Sequence, residues 1–558
     1  MPFMAGKRAF LELLRQEGVE YLFGNPGTTE LPLMDGLVAE TGLRYILGLQ
    51  EAAVVAMADG YAQASGKLAV VNVHVAPGLG NALGMLYDAQ KAGAPLLLTA
   101  GQHDQSFNFT EPILWADLPP IARPFVKWAA EVRRLADLPR AVHRAAKTAL
   151  APPTGPVFLS LPADVLNAEG EVELGAPTRV APRLRGDHTA VEAAAELLAR
   201  AERPLIMAGD AVAQGDAHRE LAAVAELLGA PVYAEGVPSA ASFPASHPLF
   251  RGTFIRVAPA IRQVLSQADL LFSVGGDLLT MSLPYDEDPV PPDLPIVHLD
   301  TDPWELGKNY PTRVAILGDP KATLPDLLAA LETRLGPERR ARARQRLGEA
   351  GAAKARQRAE LEARARAEAP RVPVTPLAAI HAVAEALPPE AVVVDETISS
   401  GVGLRTLLRS DDPKSFFGLR GGGIGWGLPA AVGVKLALPG RPVVGLIGDG
   451  SAMYTCQALW TAAHYKVAVT LVILNNASYR ILKQRIHAMK GLSAQADRYI
   501  GMDIDAPRVD FVGLGRSLGV EAERAEKTRE IGPALGRALA RSGPTLVDVA
   551  LDRAFKPS

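Results

Sequence analysis

Three α/β domains in series, each a doubly wound parallel sheet, are what this sequence predicts, and three observations carry the prediction. Short apolar, β-branched runs alternate with longer stretches rich in Ala, Leu, Glu and Arg, the pattern of βα units whose sheets are buried on both faces. The chain has 558 residues, room for three or four domains at about 100 to 200 residues each. Two breaks in composition, at 176–187 and 334–373, sort the runs into three groups. Domains are therefore expected at 1–175, 188–333 and 374–558, with 334–373 as a charged helical linker.

The first group places buried strands at 68–74, 95–101 and 156–162. The second places them at 204–210, 231–235, 268–276 and 295–300, and the third at 391–396, 442–448, 467–476 and 545–551. Several open on a proline, the position where a missing ladder donor costs least. The linker is dense in Arg, Glu and Ala with almost no large apolar residue, which predicts a solvated helix.

Composition excludes several functions. A hydrophobic share of 48% and a charged share of 21% are those of an ordinary soluble protein. The 58 basic and 61 acidic side chains leave a net charge of -3. The basic residues gather into no stripe interleaved with aromatics, so no nucleic-acid partner is expected. The single cysteine, Cys456, cannot form an intramolecular disulfide and fits a reducing compartment. Lys7 and Arg8 are followed by Glu12, Arg15 and Glu17 instead of an apolar stretch, so no secretory signal is visible. Elsewhere apolar runs end within about ten residues, too short to cross a bilayer. The expected location is the cytoplasm, with no membrane partner.

Chemistry first appears at Pro442-Val-Val-Gly-Leu-Ile-Gly-Asp-Gly-Ser451, a buried strand ending in Gly448-Asp449-Gly450. The next strand ends in Asn475-Asn476, and both clusters therefore sit at carboxyl ends of parallel strands, where open α/β sheets bind ligands. The 24 residues between Gly450 and Asn475 suffice for one helix and one strand, which brings the asparagines beside the aspartate. Magnesium takes oxygen ligands and shares them between a few protein groups and phosphate. Asp449 offers a carboxylate and Asn476 an amide oxygen. The glycines admit an anion close to the backbone, and a helix opening at about Ser451 turns free N–H groups toward phosphate. Alone, Gly-Asp-Gly is more often a tight turn; the pairing makes it a ligand site.

With this pair the sequence resembles the thiamine-diphosphate enzyme family, whose signature is Gly-Asp-Gly followed at about this spacing by Asn-Asn. The resemblance implies that Asp449, Asn476 and the Ser478 carbonyl hold magnesium, with Gly450, Ser451 and Tyr479 at the cofactor. Far away in sequence, Phe23-Gly-Asn-Pro-Gly-Thr-Thr-Glu30, Leu49-Gln-Glu51 and Val73-His-Val-Ala-Pro-Gly-Leu-Gly-Asn81 are similar to the family's pyrimidine-binding domain, in its benzoylformate decarboxylase branch. The three domains become, in order, pyrimidine-binding, middle and diphosphate-binding.

The family's chemistry gives Glu51 its role. A glutamic acid sharing its proton with N1′ of the pyrimidine drives the tautomer whose imino group takes the C2 proton of the thiazolium. The bland alternative is a helix-start carboxylate, since Glu51 precedes Ala52-Ala-Val-Val-Ala-Met57. An isolated histidine at a strand end is usually a core or edge residue. His74 instead falls where the decarboxylase carries a substrate-facing histidine, implying that it orients a carboxylate and moves protons. Thr28 stands at a substrate-contacting serine position, and Pro26 lies beside it at the cofactor. Gly78-Leu-Gly-Asn-Ala-Leu-Gly84 has the spacing GxGxxxG and is weak evidence for a nicotinamide cofactor.

Gly421-Gly-Gly-Ile-Gly-Trp-Gly-Leu-Pro429 resembles the loop that grips the aminopyrimidine. Through it the Gly422 carbonyl would accept from the 4-amino group, and Ile424 would hold the two rings bent. Without the other matches a glycine-rich turn before a helix would be the better reading. Asp395-Glu-Thr-Ile-Ser-Ser400 fits a diphosphate-facing turn, with Ser399 at the cofactor.

One family feature is missing. A second catalytic histidine belongs in the stretch Gly275 through Tyr285, which reads Gly-Gly-Asp-Leu-Leu-Thr-Met-Ser-Leu-Pro-Tyr. His298 looks like a buried strand residue. A site short of one proton relay releases aldehyde slowly or passes its carbanion to a second carbonyl. The resemblance therefore implies non-oxidative decarboxylation of an aromatic or bulky 2-oxo acid, with an acetolactate synthase-like carboligase as the alternative. A non-catalytic nucleotide-binding relative is disfavoured by intact Glu51, Asp449 and Asn476. Acetolactate synthases generally lack a histidine at the place of His74, and the histidine pair of pyruvate decarboxylases is absent from Gly101-Gln-His-Asp104. In the family the two cofactor-binding domains meet across subunits, implying a homodimer or homotetramer.

Overall fold

In the computed structural model, which describes residues 1–40, 42–281 and 283–555, all of the runs named above form strands, most of them trimmed at their ends and the one at 95–101 shifted to Leu96–Gln102. The prolines explain part of the trimming. Pro95, Pro156, Pro231, Pro295 and Pro442 each stand one residue before the strand and accept from the neighbouring strand or its approach through the carbonyl, at 2.8–3.1 Å. Each joins the ladder by the one group it has.

Residues 1–180, 369–402 and 419 onward form one compact unit, and 181–368 with 403–418 a second. In the first unit one sheet has the order Arg44–Leu47, Tyr21–Gly24, Ala69–Val73, Leu96–Gln102, Val157–Pro162, Ala129–Glu131, with every pair parallel. The chain runs to one side of Tyr21–Gly24 and then crosses to the other. The switch point thus falls between Tyr21–Gly24 and Ala69–Val73, and the loops that leave those two strands border the crevice where such sheets take ligands.

A further sheet of the same unit carries Val392–Glu396, Val443–Gly448, Thr470–Asn475, Thr545–Ala550 and Glu521–Ala525 side by side, again parallel. Gly448 pairs with Leu474, so the residues after each strand are neighbours. The helices Glu51–Ser65 and Gly427–Ala437 join these two sheets backbone to backbone. A methyl on Gly60 would strike the Ala430 carbonyl, and one on Gly433 the Met57 carbonyl.

The second unit holds the middle sheet, ordered Phe250–Thr253, Val232–Ala234, Pro204–Ala208, Leu270–Val274, Ile296–Asp300, Val314–Leu317 and parallel throughout. The segment expected to be a solvated helix forms one of 32 residues, Pro337–Glu368, with only Ala343 and Ala365 buried. His298 is a buried strand residue, as expected; its Nε2 bonds the Gly276 carbonyl at 2.9 Å. No helix among the described residues is long and apolar enough to cross a membrane.

Candidate active site

The loop after Tyr21–Gly24 closes as a 3-10 turn, Thr28–Glu30. Thr28 is exposed, Pro26 is half-buried, and Thr29 and Glu30 turn inward. His74 follows Ala69–Val73 and caps the helix Val75–Ala92. Its Nδ1 lies 2.8 Å from Glu30 Oε2 and 3.1 Å from the Thr29 hydroxyl. A carboxylate only accepts, so Nδ1 carries the proton and Nε2 is left uncommitted. The Glu30 hydrogen bond, working against burial, raises the His74 pKa. Gly27 packs so tightly on this ring that a Cβ would overlap it.

Glu51 is the first residue of the helix Glu51–Ser65, whose cap is the Gln50 side chain accepting from Ala53 N–H at 3.0 Å. Glu51 is therefore a helix-start carboxylate. Asn81 donates to Glu51 Oε2 at 3.1 Å. Glu51 and His74 are near enough for the carboxylate to act on the imidazole.

At the second cluster the expectation of a helix opening at Ser451 needs adjustment: the helix starts at Asp449 and lasts one turn, to Ala452. Asp449 is buried and accepts backbone N–H bonds from Gly450, Asn476 and Ala477; burial pushes its carboxyl up to about 6. Two oxygens stand out. Asp449 Oδ2 and Asn476 Oδ1 are buried without a hydrogen-bond partner among the described residues. Beside them, Ser478 faces Asp503 in an isolated bridge whose bonds run from Tyr479 N–H to Met502 O and from Ile504 N–H to Ala477 O. The Ser478 carbonyl lies outside that pair. Ala477 holds a left-handed φ of 50° between them, a conformation rare outside glycine and kept where surroundings over-determine it. One carboxylate, one amide oxygen and one carbonyl, with no third acidic or imidazole group clustered among the described residues, suit a hard cation that completes its octahedron with phosphate and water.

The Tyr479 ring lies on Gly450, where an added Cβ would come within 2.6 Å of Cε1. The Ser451 hydroxyl bonds the Glu396 carboxyl, leaving the backbone N–H as what Ser451 can offer an anion. Ser399 is held by a buried arginine that sequence reasoning passed over. Arg480 donates to the Ser399 carbonyl at 3.0 Å, the Ser399 hydroxyl at 3.3 Å and the Ser400 hydroxyl at 2.9 Å. Gly422 is exposed with φ of 89°, and Ile424 is half-buried.

The structure thus gathers Pro26, Thr28, Glu51 and His74 at one sheet end. Asp449, Gly450, Ser451, Asn476, Ser478 and Tyr479 gather at another, with Ser399 tied to it through Arg480. No hydrogen bond or ion pair among the described residues joins Glu51 or His74 to Asp449 or Asn476. Glu30, missed as a site residue, stands in a motif already singled out, and its burial at 1% exposure is what no motif shows.

These two sheet-end sites define a cofactor enzyme that divides its labour between two α/β domains, and the chain belongs to the thiamine pyrophosphate enzyme family. Its N-terminal TPP binding domain matches residues 4–111, its central domain 191–327 and its C-terminal TPP binding domain 399–549. Thiamine diphosphate is accordingly the cofactor, with Mg2+ the family's usual metal. The chain is 35% identical to the benzoylformate decarboxylase of Pseudomonas aeruginosa over 544 residues, 97% of this chain and 98% of that one. It is 30% identical to a putative acetolactate synthase large subunit of Mycobacterium tuberculosis, over 98% of this chain and 99% of that one. The structure of a thiamine diphosphate-dependent 4-hydroxybenzoylformate decarboxylase from Rhodococcus jostii superposes with a TM-score of 0.86 at 31% identity, covering 99% of this chain and 100% of that one.

Proposed function

We propose that this chain decarboxylates an aromatic or bulky 2-oxo acid of the benzoylformate kind, non-oxidatively, to an aldehyde and carbon dioxide. The observation that carries the reading is the His74–Glu30 pair at the switch point. A histidine whose pKa is raised by a hydrogen-bonded buried carboxyl group is suited to receive the substrate carboxylate and later return a proton. Both aryl-2-oxo-acid decarboxylase relatives support the substrate class.

Bound thiamine diphosphate supplies the nucleophilic carbon and the electron sink. Around it, Asp449, Asn476 and the Ser478 carbonyl hold Mg2+, while Gly450 and Ser451 offer backbone N–H groups to the diphosphate. Tyr479, Ser399 and Pro26 line the site. The Gly422 carbonyl would accept from the aminopyrimidine, Ile424 would support the cofactor between its two rings, and Glu51 would hold a proton at N1′. Thr28 presents a hydroxyl to substrate. Two copies at least assemble, as a homodimer or homotetramer, so that Glu51 and Asp449 reach one cofactor from different chains. The working boundaries are 1–175, 188–333 and 374–558, and the location is cytoplasmic.

A carboligase is the second reading, supported by the stretch 275–285. Its Leu278 and Leu279 are buried at positive φ, and it brings no imidazole. Purified protein supplied with thiamine diphosphate, Mg2+ and either benzoylformate or pyruvate is expected to yield carbon dioxide and aldehyde from the aromatic acid. Acyloin or acetolactate as main product selects the ligase, and no turnover of any 2-oxo acid sinks both. Glu51→Gln is expected to bind cofactor and lose activity by about 10²-fold or more, the worth of a positioned acid–base group.

A further inference from the structure

Three carboxyl groups that the reaction leaves unused converge on the glycine loop. Asp59 lies on the helix Glu51–Ser65, Asp88 on the helix Val75–Ala92, and Glu396 ends the strand Val392–Glu396. They are 0%, 2% and 1% exposed. No lysine or arginine is among the groups that act on them. A buried carboxyl without a cation is destabilising unless hydrogen bonds compensate it, and here the loop provides them. Gly423 N–H donates to Asp88 Oδ1 at 3.0 Å. Gly425 N–H donates to Glu396 at 2.6 Å and Gly427 N–H to the same carboxyl at 2.5 Å. The Trp426 indole donates to Asp59 at 2.6 Å, and the Thr455 hydroxyl closes on the Gly425 carbonyl at 2.5 Å.

The spacing of these bonds is informative. Every second amide from 423 to 427 is held, and Gly421 also abuts Asp88, where a Cβ would meet the carboxylate. Between Gly421 and Gly423, Gly422 has no heavy atom near its would-be side chain and takes a φ of 89°. The loop is clamped on both sides of its one open residue. Asp88 Oδ2 has no hydrogen-bond partner among the described residues, so the carboxyl's bonding is directed to Gly423.

We propose that Asp88, seconded by Glu396 and Asp59, is a positioning residue that fixes the backbone around Gly422 for the aminopyrimidine end of the cofactor. The inference rests on Gly422 having the proposed role of accepting from the aminopyrimidine, and two measurements separate the two. Hydrogen–deuterium exchange of the cofactor-free protein reads the clamp itself: Asp88→Ala should expose the 421–427 amides, and Asp88→Asn, whose amide oxygen still accepts from Gly423, should keep them protected. Equilibrium dialysis against thiamine diphosphate and, separately, magnesium pyrophosphate reads the purpose. Asp88→Ala should weaken thiamine diphosphate binding about tenfold, the scale of one hydrogen bond, and leave pyrophosphate binding unchanged. Asp88→Asn should bind both within about threefold of the wild type.

Unchanged exchange in Asp88→Ala overturns the clamp, as does failure of the asparagine to restore protection. Changed exchange with equal loss of both ligands, or of neither, overturns positioning toward the pyrimidine. Wild-type protein that binds the two ligands equally tightly overturns the role of the loop itself instead. Should Asp88→Ala not fold, Gly423→Ala disturbs the same contact from the loop side, its Cβ lying 2.7 Å from Asp88 Oδ2, and the same outcomes apply.

Discussion

Four contacts converge on the Glu30 carboxylate: Gly27 N–H at 2.9 Å, Gly101 N–H at 2.8 Å, the Thr29 hydroxyl at 2.9 Å and His74 Nδ1 at 2.8 Å. They hold the side chain in place, and His74 takes its character from it. The imidazole pKa is raised, so the cationic ring persists to higher pH than a free histidine, and the binding it supports is lost as pH rises through that raised value. In Glu30→Gln the ring loses its main source of support and deprotonates at lower pH. The basic limb of the kcat/KM profile is therefore expected to move toward acid, with kcat/KM at neutral pH down about tenfold or more. A profile that keeps its basic limb shows that His74 acts without its charge. The glutamine keeps only one acceptor oxygen, so either the Gly27 or the Gly101 amide loses its partner in that variant, and some loss of Tm, equivalent to about 1–3 kcal/mol, accompanies the shift.

The candidate site residues that local motifs single out are legible in the sequence itself: Glu51, His74, Asp449 and Asn476. Glu30, Asp88 and Arg480 are not, because each acts by a contact whose partner lies dozens to hundreds of residues away. A usable signal exists for two of the loop carboxylates. Asp59 is the one acid inside a helix that, past its first residue Glu51, is almost wholly apolar or small, and Asp88 is the one acid of its helix, a pattern that means a buried partner more often than a solvated face.

Elements follow a sharper rule. The strands legible in the sequence are interior to their sheets, where burial on both faces demands an unbroken apolar run. The ones that sequence reasoning misses are mostly edges. Arg44–Leu47, Ala129–Glu131, Val314–Leu317 and Glu521–Ala525 are partly exposed and carry Arg or Glu or alternate in burial, as an edge strand tolerates. Tyr21–Gly24 is the exception, fully buried but only four residues long. Helices show the opposite difficulty. Glu51–Ser65 and Gly427–Ala437 have apolar or small residues nearly all round, so periodicity says that they are buried without saying against what. Their mutual contact predicts that Gly433→Ala, a change innocent by helix propensity, destabilises the protein by about 1–3 kcal/mol or more through overpacking, read as a lower Tm for the first unit. An unchanged Tm means that the helices separate easily.

For the whole molecule the decisive question is which chains share a cofactor. Glu51 and Asp449 occur in one chain but in no common hydrogen-bonded cluster. If a second copy completes each site, Glu51→Gln and Asp449→Asn are each inactive alone, yet co-expression regains about a quarter of wild-type activity, since half of randomly paired dimers are hybrids with one intact site of two. No recovery places both residues at one cofactor within a chain.

The helix crossing at Gly60 and Gly433 reaches further than local stability. It joins residues more than 370 positions apart in the chain with no side chain between the two backbones, so the first and last thirds complete one another's interior. A gene fragment ending near residue 175 would leave a helix face shaped for a missing mate, and one beginning near 374 would leave the matching furrow. Neither piece makes a self-sufficient module, however cleanly the sequence divides there. Engineers wishing to exchange parts among these enzymes would do better to transplant the outer thirds together.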